Sequence, residues 1–306
     1  MPRPNHSNEG FLRYMQMSST KVFIFVEGKK IDSFFFGKIC STIEQPNFTY
    51  EIITASRILN ETGGKQALLT FFSYLRRSNK LISDLSGKRT VTIFYLDKDV
   101  DDILRVKKRS EHLVYTEYYD IENYIFEYGD LLNGAAAAAS IDPARLSNYF
   151  SNAHRWCKLA TNKWRKWVVL CLFVMREHIP CEANYRMPSR IHESPCGSID
   201  NLKYSSFLSR LQTKTCLYSD TFKQRLKEVS KRVDFYYNKD KHHYIFKGKW
   251  FAYILSDEIK KIMSGVNYDA NDLINRLPSI IAITLDFRGT WADHFKIPLR
   301  NILGKL

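Results

Sequence analysis

Three acidic residues stand where a metal-dependent reaction would need them. Glu27 directly follows the apolar run Val22–Val26, and Asp97 and Asp99 directly follow a second run, Thr90–Leu96. A short apolar run without alternation suits a buried strand of a parallel sheet. Open α/β sheets place their ligands beyond the carboxyl ends of such strands. If strand geometry continues past Leu96, the carboxylates of Asp97 and Asp99, at i and i+2, point to one side. Two such strands lying side by side would bring three carboxylates within reach of one cation. Clustered carboxylates do not all stay ionised at neutral pH without a cation between them. Mg²⁺ suits hard oxygen ligands and retains waters in its remaining positions, with Mn²⁺ as an alternative. Its task would be to polarise a phosphate oxygen and stabilise a leaving oxygen. Asp101 and Glu122 are further candidate ligands. Taken alone, DKDVDD reads as a polar loop with a helix N-cap, where Asp is favoured. Its combination with a Glu-Gly pair after an earlier strand is the more specific signal.

The elements around these residues alternate. Lys21–Ala55 reads as strand, helix over Ile31–Ile43, then a second strand at Tyr50–Ala55. A helix at Ala67–Arg77 precedes the Thr90–Leu96 strand. Val100–Arg109 reads as helical, His112–Tyr115 as a short strand and Tyr119–Leu132 as a further helix. This pattern predicts βαβ units and a mainly parallel sheet. Beyond Asn133 the pattern is helical and aromatic, with a proline-bearing loop over residues 178–198, and the stretch around residues 280–295 fits either a strand or a buried turn. The expected organisation is an N-terminal tail over residues 1–20, an α/β domain over 21–133 and a mainly helical domain over 134–306.

Charge separates the same two halves. Residues 1–133 hold 18 Lys and Arg against 17 Asp and Glu, whereas residues 134–306 hold 28 against 15. A strongly cationic half beside a near-neutral acidic one points to nucleic acid or a membrane surface as partner; the plain alternative is a well-solvated basic surface. No apolar run reaches the roughly 18 residues of a membrane span. The N-terminal residues lack a secretory apolar core, and the six cysteines form no C-x-x-C pair. A cytoplasmic protein is the expectation.

Lys29, Lys30 and Lys98 flank the carboxylates and would either hold a scissile phosphate or neutralise the acidic edge. In WCKLATNKWRKW, Trp156, Trp164 and Trp167 recur at helical spacing, which favours core packing. Lys163, Arg165 and Lys166 of that segment are the better phosphate contacts. Lys241, Lys247 and Lys249 belong to a second basic and aromatic stretch, whose His242–His243 pair reads as solvated rather than catalytic. The scattered His and Cys residues 154–196 lack the tight spacing of a zinc site. ETGGKQ is not a phosphate-binding G-x-x-x-x-G-K-[ST] loop, so ATP hydrolysis is not expected of this chain.

VFIFVEGKK followed by TIFYLDKDVDD resembles the Toprim domain, a Rossmann-like α/β fold of topoisomerases, primases and OLD-type nucleases. EGKKIDSFFF, ETGGKQALL, FYLDKD, YYDIENYIF and FKGKWFAYIL together are similar to the AriB-type Toprim effectors of the bacterial PARIS anti-phage system. The resemblance spans residues 21–131 by motif and reaches loosely through Lys247–Leu255. It implies that Glu27, Asp97 and Asp99 bind Mg²⁺, with Glu27 catalytic. It implies an ABC-type ATPase partner, AriA, that holds the effector inactive, and an active homodimer that cuts tRNA. One position departs: OLD-type nucleases often carry an acidic residue four places after the Glu, where this chain has Ile31. Asp32 lies about 100° further round a helix, as a second ligand or merely a helix cap. An OLD-like DNA endonuclease and a non-catalytic subunit that binds nucleic acid or regulates the ATPase are the rival readings.

Overall fold

The computed structural model describes residues 7–28, 31–44, 48–58, 64–85, 87–150, 153–179, 185–265 and 267–306. The chain forms two units and passes between them repeatedly. A sheet unit takes the chain as far as Lys98, then Val106–Glu117 and Asp286–Leu306. A helical unit takes Asp99–Arg105 and Tyr118–Leu285. The single boundary expected at residue 133 is replaced by this interleaving.

The sheet unit is α/β with a mainly parallel sheet of five strands: β1 (Val22–Val26), β2 (Tyr50–Thr54), β3 (Ile82–Leu85), β4 (Lys88–Leu96) and β5 (Leu113–Tyr115). β1 lies between β2 and β4, parallel to both. Along its other edge β4 pairs first with antiparallel β3 and then with parallel β5. Every residue of β1 is buried, as is β4 from Thr90 onward. This is why both strands read as unbroken apolar runs.

Helices cover both faces. The first face carries Phe25 and Phe94, stacked at 4.6 Å on neighbouring strands. It packs with α1 (Asn8–Met17) and α3 (Gly64–Arg77) through Phe11, Met15, Leu68 and Phe71. The segment expected as a tail thus holds a core helix. Ser7 caps it by accepting the Gly10 N–H at 3.1 Å, and Phe11 and Met15, one turn apart, bury its inner face. On the second face, Tyr95 stacks on Phe36 of α2 (Asp32–Ser41) at 4.4 Å. Tyr95 also donates from Oη to the Phe295 carbonyl of α13 (Asp293–Leu303) at 2.9 Å. The segment that fitted either strand or turn holds no strand: it ends one helix, turns at residues 286–289 with Leu285 and Phe287 buried, and leads into α13.

The helical unit contains α4 (Ile121–Tyr128), α5 (Leu131–Ala139), α6 (Ala144–Ser147), α7 (Ala153–Lys163), α8 (Arg165–Arg176), α9 (Asn201–Thr215), α10 (Ser219–Asn238), α11 (Lys249–Ile262) and α12 (Leu273–Ile283). Trp164 and Trp167 are fully buried and Trp156 nearly so, as their helical spacing predicts. The single helix expected over Tyr119–Leu132 is two. Gly129 breaks it where a Cβ would sit 2.4 Å from Ile281, and Asp130 then caps α5 by accepting the Asn133 N–H at 3.0 Å. Val100–Arg109 is not helical either. Asp99 and Arg105 adopt φ of +52° and +59°, a left-handed conformation that stops a right-handed helix, and the stretch forms turns. Among the described residues, no helix is long and apolar enough to cross a membrane.

Candidate active site

The parallel pairing of β1 with β4 puts Val26 opposite Tyr95. Glu27 and Asp97 therefore leave the sheet at the same carboxyl edge from adjacent strands. They are joined directly: the Asp97 backbone N–H donates to Glu27 Oε1 at 2.9 Å. A carboxylate accepting a backbone N–H has its orientation fixed as well as its charge stabilised.

The turn after Glu27 is fixed in a similar way. The Gly28 N–H donates to Asp32 Oδ2 at 2.7 Å. A Cβ at Gly28 would lie 2.1 Å from Asp32 Oδ1, so only glycine lets this carboxylate close over the turn. Asp32 is buried at the first position of α2, and this contact gives it a structural task at the edge. Lys98 is buried at 3% exposure, and its N–H donates to Thr116 Oγ1 at 2.8 Å. It is withdrawn from solvent. Lys29 and Lys30 lie outside the described residues.

Strand geometry does not continue to Asp99. β4 ends at Leu96 and Asp99 has the positive φ noted above, so the equal-face expectation for Asp97 and Asp99 does not hold. The Asp99 N–H donates to the Tyr119 carbonyl at 2.8 Å, within the helical unit. Asp99 and Asp101 there line a cavity of about 530 Å³. Among the described residues, no group of three or more His, Cys, Asp or Glu side chains is arranged to hold a metal ion. Glu27 and Asp97 remain a pair of hard oxygen donors. That donor set fits Mg²⁺, which binds through one or two carboxylates and keeps its waters.

A second acidic pair was not foreseen as such. Asp120 caps α4, accepting from the N–H and Nδ2 of Asn123 at 3.2 and 2.9 Å and from the Gly248 N–H at 3.1 Å. Glu122 is buried beside it; Lys249 Nζ stands 3.6 Å from its Oε1, and its Oε2 has no hydrogen-bond partner among the described residues. Burial, and after it the charge of Glu122, push the Asp120 carboxyl up to about 8. An unfolded chain releases this proton at about 3.9. Between those values the fold holds the extra proton, so stability falls as pH rises, by about 1.4 kcal/mol per pH unit at most. Asp120→Asn keeps an accepting oxygen without the charge. Its melting temperature should match wild type near pH 4 and exceed it at pH 8; parallel pH profiles for the two proteins would refute the assignment. The D-x-x-N capping pattern was the one sequence signal for this lock.

Several expected phosphate contacts are otherwise engaged. Lys163 pairs with Glu258, and Arg165 Nε donates to Asp234 at 3.0 Å. Lys166 lies over the Tyr204 ring and Lys241 over Tyr244. Lys247 lines the cavity. The His pair is buried, not solvated: His243 Nε2 meets Glu127 at 2.8 Å, and burial, then His243, push His242 down to about 3. Exposed cations also form a stripe on α10, where Lys223, Lys227 and Lys231 recur every fourth residue. Phe235, one turn on, is 51% exposed.

Compared with protein-family models and with curated proteins, the chain matches none. Its chemistry rests on the residues themselves. Cys157 Sγ donates to the Phe126 carbonyl, Cys196 contacts Asp257 and His192 bridges Ser189 to the Lys163 carbonyl. Each of these has a structural partner; Cys181 and the His154 side chain lie outside the described residues.

Proposed function

We propose that the protein is a Mg²⁺-dependent Toprim-type nuclease. The observation that carries this reading is the Asp97 N–H bond to Glu27 at the shared carboxyl edge of β1 and β4. It ties the Glu27 carboxylate to the backbone of Asp97, so that two acidic residues leave adjacent strands at the sheet edge where such folds bind ligands. Glu27 and Asp97 would hold the ion. When bound, Mg²⁺ supplies charge that stabilises the attacked phosphate and the leaving oxygen. The chain's own part is to hold Glu27 in one orientation through Asp97, to keep the turn closed through Gly28 and Asp32, and to accept a proton at the second Glu27 oxygen. The exposed stripe on α10 would hold substrate phosphates.

The substrate is tRNA, an ATPase of the ABC type keeps the protein inactive, and the active form is a homodimer. These three points rest on the resemblance of residues 21–131 to PARIS effectors. The purified protein incubated with tRNA and with plasmid DNA, in Mg²⁺ and in excess chelator, tests the reading. Cleavage of tRNA only with Mg²⁺ is the expected result. Cleavage of plasmid with tRNA intact would instead favour an OLD-like DNA nuclease. Cutting that persists in chelator would refute the metal-dependent mechanism.

A further inference from the structure

The cavity of the helical unit has a use that the acidic edge does not explain. Its volume is about 530 Å³, and its wall includes Tyr119, Tyr185, Val174, Ile179, Arg186 and Lys247. Tyr119 and Tyr185 are 3% and 4% exposed, with ring centroids 4.9 Å apart. Tyr185 is backed by Trp250, parallel to within 7° at 5.5 Å. The aromatic wall is therefore rigid before any ligand arrives. Rigid aromatic walls lose little entropy on binding a flat ring.

One atom on this wall is unexplained. The Tyr185 hydroxyl is buried and has no hydrogen-bond partner among the described residues. A buried polar group without a partner costs stability and calls for a missing ligand or water. The lining also carries both signs of charge. Asp99 and Asp101 contribute carboxylates, while Arg186 and Lys247 contribute cations. An aliphatic and aromatic pocket with one unmet hydroxyl and charges of both signs fits a ligand with a flat heterocycle, N–H donors and an anionic group.

We propose that this cavity binds a single nucleotide, with its base against the tyrosine wall and its phosphate met by Arg186 and Lys247. The choice of a nucleotide over other flat anions rests on the nuclease reading above. The ligand is either an unpaired nucleotide of a bound strand or a free mononucleotide, and both share this chemistry. A base taken from a strand must leave its stack, and aromatic pockets offset that loss.

Titration calorimetry of the full-length protein in excess chelator, with AMP, CMP, GMP and UMP as probes, tests binding without any cleavage. At least one of the four should bind. Tyr185→Phe keeps the ring and removes the hydroxyl, and should weaken binding about tenfold. Met175 also lines the cavity and is 37% exposed, so Met175→Trp fills the space with little risk to folding and should abolish binding. A short single-stranded RNA separates the two sources. Loss of both RNA and mononucleotide affinity in Met175→Trp identifies a strand nucleotide; loss of the mononucleotide alone identifies a free one. The proposal is overturned if none of the four binds, or if either folded variant binds as wild type does. Cleavage without mononucleotide binding would sink this site alone, and binding without cleavage would sink only the nuclease reading.

Discussion

Glu27→Gln should lower Mg²⁺-dependent cleavage by about 10²- to 10⁴-fold, the range for loss of a group that transfers protons at the reacting centre. The substitution is chosen for what it keeps. Gln retains an oxygen that can accept the Asp97 N–H, now at 2.9 Å from Glu27 Oε1, so the junction between β1 and β4 survives. What disappears is the negative charge and the basic oxygen. Single-turnover cleavage of labelled RNA gives the rate, and the melting temperature reports the fold. An unchanged melting temperature with a large rate loss is the expected pair of results. A Glu27→Gln protein that cuts at the wild-type rate would remove Glu27 from the chemistry and leave the sheet edge without a reason for its acidic pair.

The largest effect on stability is expected at Gly248. A Cβ there would lie 2.3 Å from Asp120 Oδ1 and 2.4 Å from the Asn123 backbone nitrogen. The backbone atoms belong to the first turn of α4 and cannot yield as a flexible side chain does. Gly248→Ala would push α4 from the start of α11 and stretch the Gly248 N–H bond to Asp120. Overpacking costs about 1–3 kcal/mol, and a buried acid that loses a donor costs a further 1–3 or so. A total of about 3 kcal/mol corresponds to a melting temperature lower by roughly 6–12 °C. A drop of less than one degree in thermal melting would mean that the helices separate here without cost.

Much of the sheet unit was legible because its central strands are buried on both faces. VFIFV and TVTIFYL read as strands for that reason, and the acidic residues that follow them mark the carboxyl edge. The Trp spacing of Trp156, Trp164 and Trp167 was equally plain, since helical periodicity and burial gave one answer. Other features depend on long-range partners that no local pattern encodes. Lys163 and Arg165 look free in WCKLATNKWRKW, yet their partners Glu258 and Asp234 lie far along the chain. The turn at Asp99 needs a left-handed residue, which Asp tolerates without advertising it. α1 was obscured by its polar neighbours, and β3 is too short to show a period. The overall charge pointed to a polyanion. The regular stripe of Lys223, Lys227 and Lys231 on α10 showed only once exposure was known.

The position of α13 has a consequence for the time at which the acidic edge becomes complete. Phe35 lies against Phe287, Trp291 and Phe295, and Tyr95 bonds to the Phe295 carbonyl. All these covering residues follow the helical unit in the chain, far beyond β4. A ribosome making roughly 5–20 residues per second needs about 10–40 s to travel from β4 to them. Through this interval the nascent chain already carries Glu27 and Asp97, but the face of the sheet that α2 covers still lacks α13. The sheet that carries the acidic edge therefore gains its last packed helix only after the whole helical unit has been made.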